Sequence, residues 1–126
     1  MKIIHKLRLS QQDAHYGGGL VDGAKVLALF GDVATEILIR TDKDEGLFRA
    51  YESVDFLAPL RAGDIIEIEG ELLKKGRTSR TMAFKCYKVA SAEPDISESA
   101  ASYLEEPVLT TTAKGTCIVP KEKQRG

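Results

Sequence analysis

The sequence predicts an α+β domain: one long central helix wrapped by an antiparallel sheet of about five strands. Two features set that class. Between residues 21 and 40 the apolar residues Val26, Leu27, Phe30, Val33, Ala34, Ile37 and Leu38 recur at helical spacing, forming a broad stripe. Elsewhere the pattern alternates with period two, in one segment upstream of the helix and four downstream. An antiparallel sheet must cover its apolar face, and the single helix is the only element able to do so. A chain of 126 residues makes one domain, 1–126, and leaves no room for a second.

The first strand spans residues 3–9, with Ile3, His5, Leu7 and Leu9 on one face. A polar stretch and a glycine turn follow, and Asp22 is placed to cap the helix ahead of Gly23 and Ala24. The charged stretch 41–46 reads as a solvated linker. Strand 47–57 ends before Pro59, and strand 64–73 sets Ile66, Ile68 and Leu72 against Glu67, Glu69 and Glu71. Strand 80–89 has Met82, Phe84 and Cys86 inward, after a hairpin connection at 74–79 containing Gly76. Residues 92–107 are acidic and rich in Ser and Ala, a loop or short helix. A Thr-rich strand spans 108–119, and the basic tail 120–126 is mobile unless a partner or ligand pins it. A lone five-stranded sheet leaves an open edge and an under-covered helix, which a dimer continuing the sheet would cure.

Composition narrows the function classes. Eighteen basic and nineteen acidic residues give a net charge of −1, against a nucleic-acid-binding protein with its basic excess. No run of about 18 apolar residues exists to span a membrane. The first ten residues alternate apolar and charged and lack a signal peptide's apolar block, so the cytoplasm is the natural compartment. Cys86 and Cys117 sit in apolar strand segments outside any Cys-x-x-Cys spacing, which favours buried free thiols over a disulfide or metal pair.

The chemistry concentrates in residues 13–38. His15 and Tyr16 run into Gly17, Gly18 and Gly19, and the helix behind them carries Asp32 and Glu36. Glycines allow a sharp turn and close approach of a ligand to the main chain. A helix start offers free N–H groups and a positive dipole end, suited to a carbonyl oxygen or an anion. Gly18, Gly19, Leu20 and Gly23 are the candidates for that cradle. Asp32 and Glu36, four apart, project from one side of the helix, either as a solvated face or as a proton-transfer or ammonium-binding pair. In a poorly solvated pocket such a carboxylate has a raised pKa. His15, two residues after Asp13, is a surface residue or a catalytic one. Tyr16 packs, or donates to a substrate oxygen. Glu52 interrupts the apolar alternation of Phe48, Ala50, Val54 and Phe56. It is therefore a buried carboxylate with a task, or the mark of a bulge or exposed face. Tyr51 and Asp55 lie on the opposite face, as interface residues.

The order of elements, together with VDFLAPLRAGDIIEIEGEL and GRTS, resembles the hotdog fold of acyl-CoA thioesterases and dehydratases. Phe56, Leu57, Pro59, Gly63 and Asp64 stand at the positions of its Phe-Leu-x-Pro and Gly-Asp motifs. Three segments are similar to a lyase branch of that fold: DAHYGGGLVDGAKVLALFGDVATE, LFRAYESVDFLAP and the tail PVLTTTAKGTCIVPKEKQRG. The branch comprises the ammonia-lyases that act on 3-aminobutyryl-CoA in lysine-fermenting bacteria and, less closely, those that act on β-alanyl-CoA. The resemblance covers essentially the whole chain. It implies reversible elimination of ammonia from a 3-aminoacyl-CoA thioester, an active site between two subunits, and dimers assembled into a hexamer. No metal and no cofactor beyond the CoA of the substrate is implied. Thioesterases of this fold often carry an acidic residue about seven positions after the second glycine of the turn. Seven after Gly23 is Phe30, which activates no water, and the acid comes two later at Asp32. That shift favours the lyase over an acyl-CoA thioesterase; a non-catalytic acyl-CoA-binding module is the remaining alternative. For the CoA phosphates, the basic hairpin Lys75, Arg77, Thr78, Ser79 and Arg80, with Lys121 of the tail, supplies cations and hydroxyls. The hairpin is otherwise a solvated turn.

Overall fold

In the computed structural model, which describes residues 1–126, strand β1 (Lys2–Arg8) alternates in burial residue by residue, with Ile3, His5 and Leu7 inward. Helix α1 (Gly23–Asp42) and strands β2 (Leu47–Phe56), β3 (Ile65–Lys75), β4 (Ser79–Ala92) and β5 (Ala101–Ile118) follow. They form one sheet in the order β1-β3-β4-β5-β2, antiparallel at every step. The helix connects the two edge strands, so the chain has to cross the whole width of the sheet between β1 and β2. That crossing is what lays α1 over the core.

The helix starts where its cap predicts: Asp22 Oδ1 accepts the Ala24 N–H at 3.1 Å. Its apolar stripe of Val26, Phe30, Val33, Ala34, Ile37 and Leu38 is fully buried against Ile66, Ile68, Met82, Phe84 and Cys86. The rings of Phe30 and Phe84 stack with centroids 5.1 Å apart. A Cβ at Gly70 would stand 2.5 Å from Val33 Cγ1, so the absent side chain there lets the helix seat on β3. Cys86 and Cys117 are free and buried. No helix is long and apolar enough to cross a membrane.

Four elements depart from the sequence reading. First, α1 runs two residues further than 40, into the charged stretch, and Asp42 is buried rather than solvated. Lys43 closes the helix in the left-handed conformation, with φ 56°. Second, β2 is not a simple alternating strand. Register shifts between Phe48 and Ala50 and between Tyr51 and Ser53 bulge it twice. Its inward residues therefore recur every third position, at Phe48, Tyr51 and Val54. Glu52 is thrown outward, which is the bulge reading, and Tyr51 turns into the core rather than to an interface. Third, residues 92–107 form neither a loop throughout nor a helix. β4 extends to Ala92, and β5 begins at Ala101. Pairing jumps from Lys88↔Val108 to Ala90↔Tyr103. The surplus residues bulge at Pro107, which has no N–H to give to a ladder.

Fourth, the tail is pinned by its own chain. Gln124 Nε2 donates to the carbonyls of Arg77 and Val119 at 2.8 and 3.0 Å. The Arg125 N–H donates to Asp42 O at 3.0 Å, and its guanidinium to Lys43 O at 2.7 Å. At the other side of the molecule β2 pairs only with β5, leaving its outer edge open, with Leu47 and Phe56 exposed along it.

Candidate active site

The glycine turn is held by its carbonyls. The His15 and Tyr16 N–H groups both donate to Leu20 O, at 2.8 and 3.0 Å, and the Ala62 N–H donates to Gly19 O at 2.8 Å. Arg61 Nη1 donates to Gly18 O at 3.0 Å. Gly18 and Gly19 have φ of 74° and 79°, a conformation that L side chains rarely adopt. With the carbonyls so engaged, the Leu20 and Gly23 N–H groups at the helix start meet no protein acceptor. The next N–H, that of Ala24, belongs to the Asp22 cap.

A groove of about 580 Å³ opens at this point. One wall is the first turn and a half of α1 (Gly23, Ala24, Leu27), and the other is the chain leaving β2, residues 56–60. Tyr16 and Thr111 complete it, and nine of its thirteen residues are apolar. Phe56 lies so close over Gly23 that a Cβ there would stand 2.4 Å from its ring. An apolar channel lined at one end by Gly23, whose N–H is free, fits an acyl chain with its carbonyl oxygen seated at the helix start.

His15 stands beside the groove residues Asp22 and Tyr16, with its side chain 60% exposed and Nε2 3.9 Å from Asp22 Oδ2. Its ring meets that of Tyr16 edge-on at 4.7 Å. The acid beside His15 is thus Asp22 and not Asp13. Asp13 instead pairs with Lys25 at 3.2 Å and accepts the Ser10 N–H at 2.7 Å, and that backbone hydrogen bond is the main reason its carboxyl sits below the ordinary range. Sequence reasoning treated Asp22 only as a cap. Asp22 directly precedes the helix start and stands seven residues after His15, a separation that carries no local signal of their pairing.

The helix carboxylates separate. Asp32 is exposed on the side of α1 turned from the sheet and makes no hydrogen bond or ion pair. Glu36 is engaged twice, with His5 Nε2 at 2.7 Å and Arg40 Nε at 2.8 Å. These partners, His5 foremost, hold its carboxyl below the ordinary range, the reverse of the raised value a poorly solvated pocket would give. Thirteen residues of helix separate Glu36 from Gly23, about 20 Å at 1.5 Å per residue. Glu36 therefore lies outside the groove of its own subunit. Glu52 is exposed on β2, 3.7 Å from Lys114 Nζ.

The hairpin cations gather at the far end of α1. Arg80 is completely buried, and its guanidinium is spent: Nε and Nη2 donate to the two Asp42 oxygens at 2.9 and 2.8 Å, and Nη1 to the carbonyls of Gly76 and Ser79. It is a structural ion and has nothing left for a phosphate, which corrects its place among the CoA ligands. Lys75 approaches the same Asp42 at 3.9 Å, and Thr78 O accepts the Val119 N–H. Arg77 and Lys121 remain exposed, and Ser79 is half-buried. The helix of 20 residues puts these groups about 30 Å from the glycine turn of the same subunit. Tyr51, read from the sequence as an interface residue, instead donates its hydroxyl to Leu27 O at 3.1 Å, a role hidden by the bulges, and Arg61, which lies in a loop without periodicity, went unnoticed.

The Asp64 of the Gly-Asp motif is buried and structural. Its Oδ2 accepts the Arg61 N–H at 2.8 Å and its Oδ1 the Ala92 N–H at 2.9 Å, tying the loop under the glycine turn to the end of β4.

Comparison with known proteins agrees with this architecture. Residues 18–90 match the family model of the thioesterase superfamily. The chain is 58% identical to a 3-aminobutyryl-CoA ammonia lyase of Acetoanaerobium sticklandii over 99% of both chains. Its structure superposes on the β-alanyl-CoA:ammonia lyase of Clostridium propionicum with a TM-score of 0.96, at 39% identity, covering 100% of this chain and 90% of that one. An acyl-CoA hydrolase variant of Staphylococcus aureus in complex with coenzyme A shares the fold, with a TM-score of 0.78 at 15% identity over 98% of this chain and 67% of that one. The chain belongs to the hotdog-fold thioesterase superfamily and, within it, to the 3-aminobutyryl-CoA ammonia lyase family.

Proposed function

We propose that this protein is a carbon–nitrogen lyase that reversibly removes ammonia from 3-aminobutyryl-CoA to give crotonyl-CoA, working in the cytoplasm as a homo-oligomer. The observation that carries this reading is the apolar groove lined by Gly23, whose N–H is free, with the free Leu20 N–H three residues upstream and His15 beside the groove residue Asp22. The thioester oxygen sits on those N–H groups, whose dipoles stabilise the negative charge as the α-proton leaves. His15, oriented by Asp22, takes that proton as general base. The electron pair left at Cα forms the double bond as the Cβ–N bond breaks, and His15 returns its proton to the departing ammonia as ammonium. Only proton transfer is involved, so we assign no cofactor beyond the substrate's CoA. The open edge of β2 takes a second subunit, which sets Glu52 at the seam beside the groove. Asp32, exposed on the lone subunit, faces the assembly as the seat for the substrate's ammonium group. Such pairs assembled into a hexamer are the full form we propose.

The test is to mix the protein with crotonyl-CoA and ammonium and follow enoyl absorbance together with free thiol. Loss of enoyl absorbance without thiol supports the lyase. Thiol release supports an acyl-CoA thioesterase, and neither signal leaves only an acyl-CoA-binding module. His15→Gln and Asp32→Asn abolish turnover on this reading, whereas Glu36→Gln, remote from the groove, retains it.

A further inference from the structure

On the other side of the glycine turn from the acyl groove lie two adjoining hollows of about 270 and 340 Å³, both lined by Arg8, Gln11 and Gly63. The larger of them is otherwise lined by Leu9 and Ser10 alone; the smaller reaches Gly18 and Gly19 and ends at Glu98 on the 93–100 turn. Arg8 lines both hollows, and Arg61, outside the lining of either, reaches the lining residue Gly18 at the rim. Arg8 Nε donates to Gly63 O at 3.1 Å, and Arg61 Nη1 donates to Gly18 O. Each is thereby fixed by one main-chain bond, and both side chains are exposed with the remaining N–H groups unspent. The walls are rigid. The Gly63 N–H donates to Leu9 O and the Leu9 N–H to Asp64 O, each at 2.8 Å, and buried Asp64 anchors Arg61 and Ala92.

We infer that this Arg8–Arg61 cleft seats the diphosphate of the substrate's coenzyme A. The inference rests on the CoA-thioester reading above and assigns a subsite within it. A thioester held at the helix start must send its polyanionic arm out over the glycine turn. The hairpin cations of the same subunit stand about 30 Å away at the far end of the helix, and Arg80 is spent on Asp42. Arg8 and Arg61 are instead beside the turn. Planar guanidiniums present forked donors that match phosphate oxygens, and fixing them in advance reduces the ordering that binding demands. Glu98 on the opposite wall repels a phosphate and limits how deep the anion settles.

The test compares coenzyme A with a substrate lacking the nucleotide. Arg8→Gln and Arg61→Gln are each expected to weaken binding of free CoA about tenfold, the loss of a charge-assisted hydrogen bond. They should lower kcat/KM for crotonyl-CoA in parallel and leave kcat/KM for crotonyl-pantetheine within about twofold of the parent protein. Glu98→Gln should tighten CoA binding by about twofold. The subsite is overturned if Arg8→Gln binds CoA like the parent, if both thioesters suffer equally, or if the loss appears instead in Arg77→Gln or Lys121→Gln. That last pattern would place the diphosphate on a neighbouring subunit's hairpin. Arginine-dependent CoA binding without lyase turnover would leave the subsite standing and overturn only the reaction. Failure of the parent protein to bind CoA at all would overturn both.

Discussion

Asp42→Asn is the substitution whose effect the structure fixes most closely. Asp42 and Arg80 are both fully buried, and the carboxylate takes two of the four hydrogen bonds the guanidinium makes, at 2.9 and 2.8 Å. The amide keeps the shape but removes the charge and turns an NH₂ toward a guanidinium that also only donates. Arg80 is then left as a buried cation with one anionic partner missing, a situation that costs about 3–5 kcal/mol. For a domain of this size that corresponds to a fall in Tm of roughly 10–20 °C. Urea and thermal unfolding followed by circular dichroism at one fixed protein concentration measure it, because oligomers unfold in a concentration-dependent way. The pH dependence gives a second reading of the same pair. The Arg80 hydrogen bonds hold the Asp42 carboxyl below its ordinary 3.8. A group with a depressed native pKa contributes stability above its unfolded value and loses it as pH falls through the native one. The advantage of the parent protein over Asp42→Asn should therefore be full at pH 6 and shrink on acidification below about 3.8. A penalty under about 1 kcal/mol at pH 6, or one that does not change in acid, would refute the view that this pair is a charged lock between helix end and hairpin.

Gly19→Ala meets no neighbour, since nothing lies within 4 Å of the added Cβ, but must hold φ at 79°. It should cost about 1–2 kcal/mol in unfolding and at least about tenfold in kcat/KM, because the free N–H groups shift with the turn. Equal activity with the parent would move the oxyanion seat elsewhere. Tyr51→Phe removes the hydrogen bond to Leu27 O and should destabilise by about 1 kcal/mol without altering the fold. Burial pushes that phenol up to about 12, so a spectrophotometric titration of the native protein should lack one tyrosine ionisation near pH 10. Burial likewise pushes Cys86 and Cys117 up to about 11, so iodoacetamide at pH 8 should label neither in the folded protein and both in urea. Rapid native labelling of either thiol would contradict its burial.

Much of the fold was legible because it is written in short-range periodicity. The stripe from Val26 to Leu38, all but the partly buried Leu27, and the alternation of Ile66 and Ile68 or of Met82, Phe84 and Cys86 bury the residues the pattern picks out. The pattern failed where a bulge breaks the period. Reading β2 as strict alternation set Tyr51 outward and left Glu52 either buried or the mark of a bulge; two register shifts turn Tyr51 inward and make Glu52 the mark of the bulge. It failed again wherever a charge meets a distant partner. Nothing local distinguishes Asp42 from Asp44, or Arg80 from Arg77; only the approach of the β3–β4 hairpin to the helix end buries one of each. The site divided in the same way. The glycine turn, the helix start and His15 were visible because they are neighbours in the chain, and the groove forms beside them. Glu36 was misjudged because its partner His5 comes from β1, thirty-one positions earlier.

The sequence alone determined the class of the molecule: one amphipathic helix, five strands and a glycine turn ahead of the helix, together with the motifs that mark its family. These depend on side-chain spacing and backbone freedom, which act over a few residues. Tertiary structure decided which charges are locked, which are free and which cations lie beside the turn. Coulombic and hydrogen-bond partnerships form between residues tens of positions apart, and only the folded chain brings those residues together.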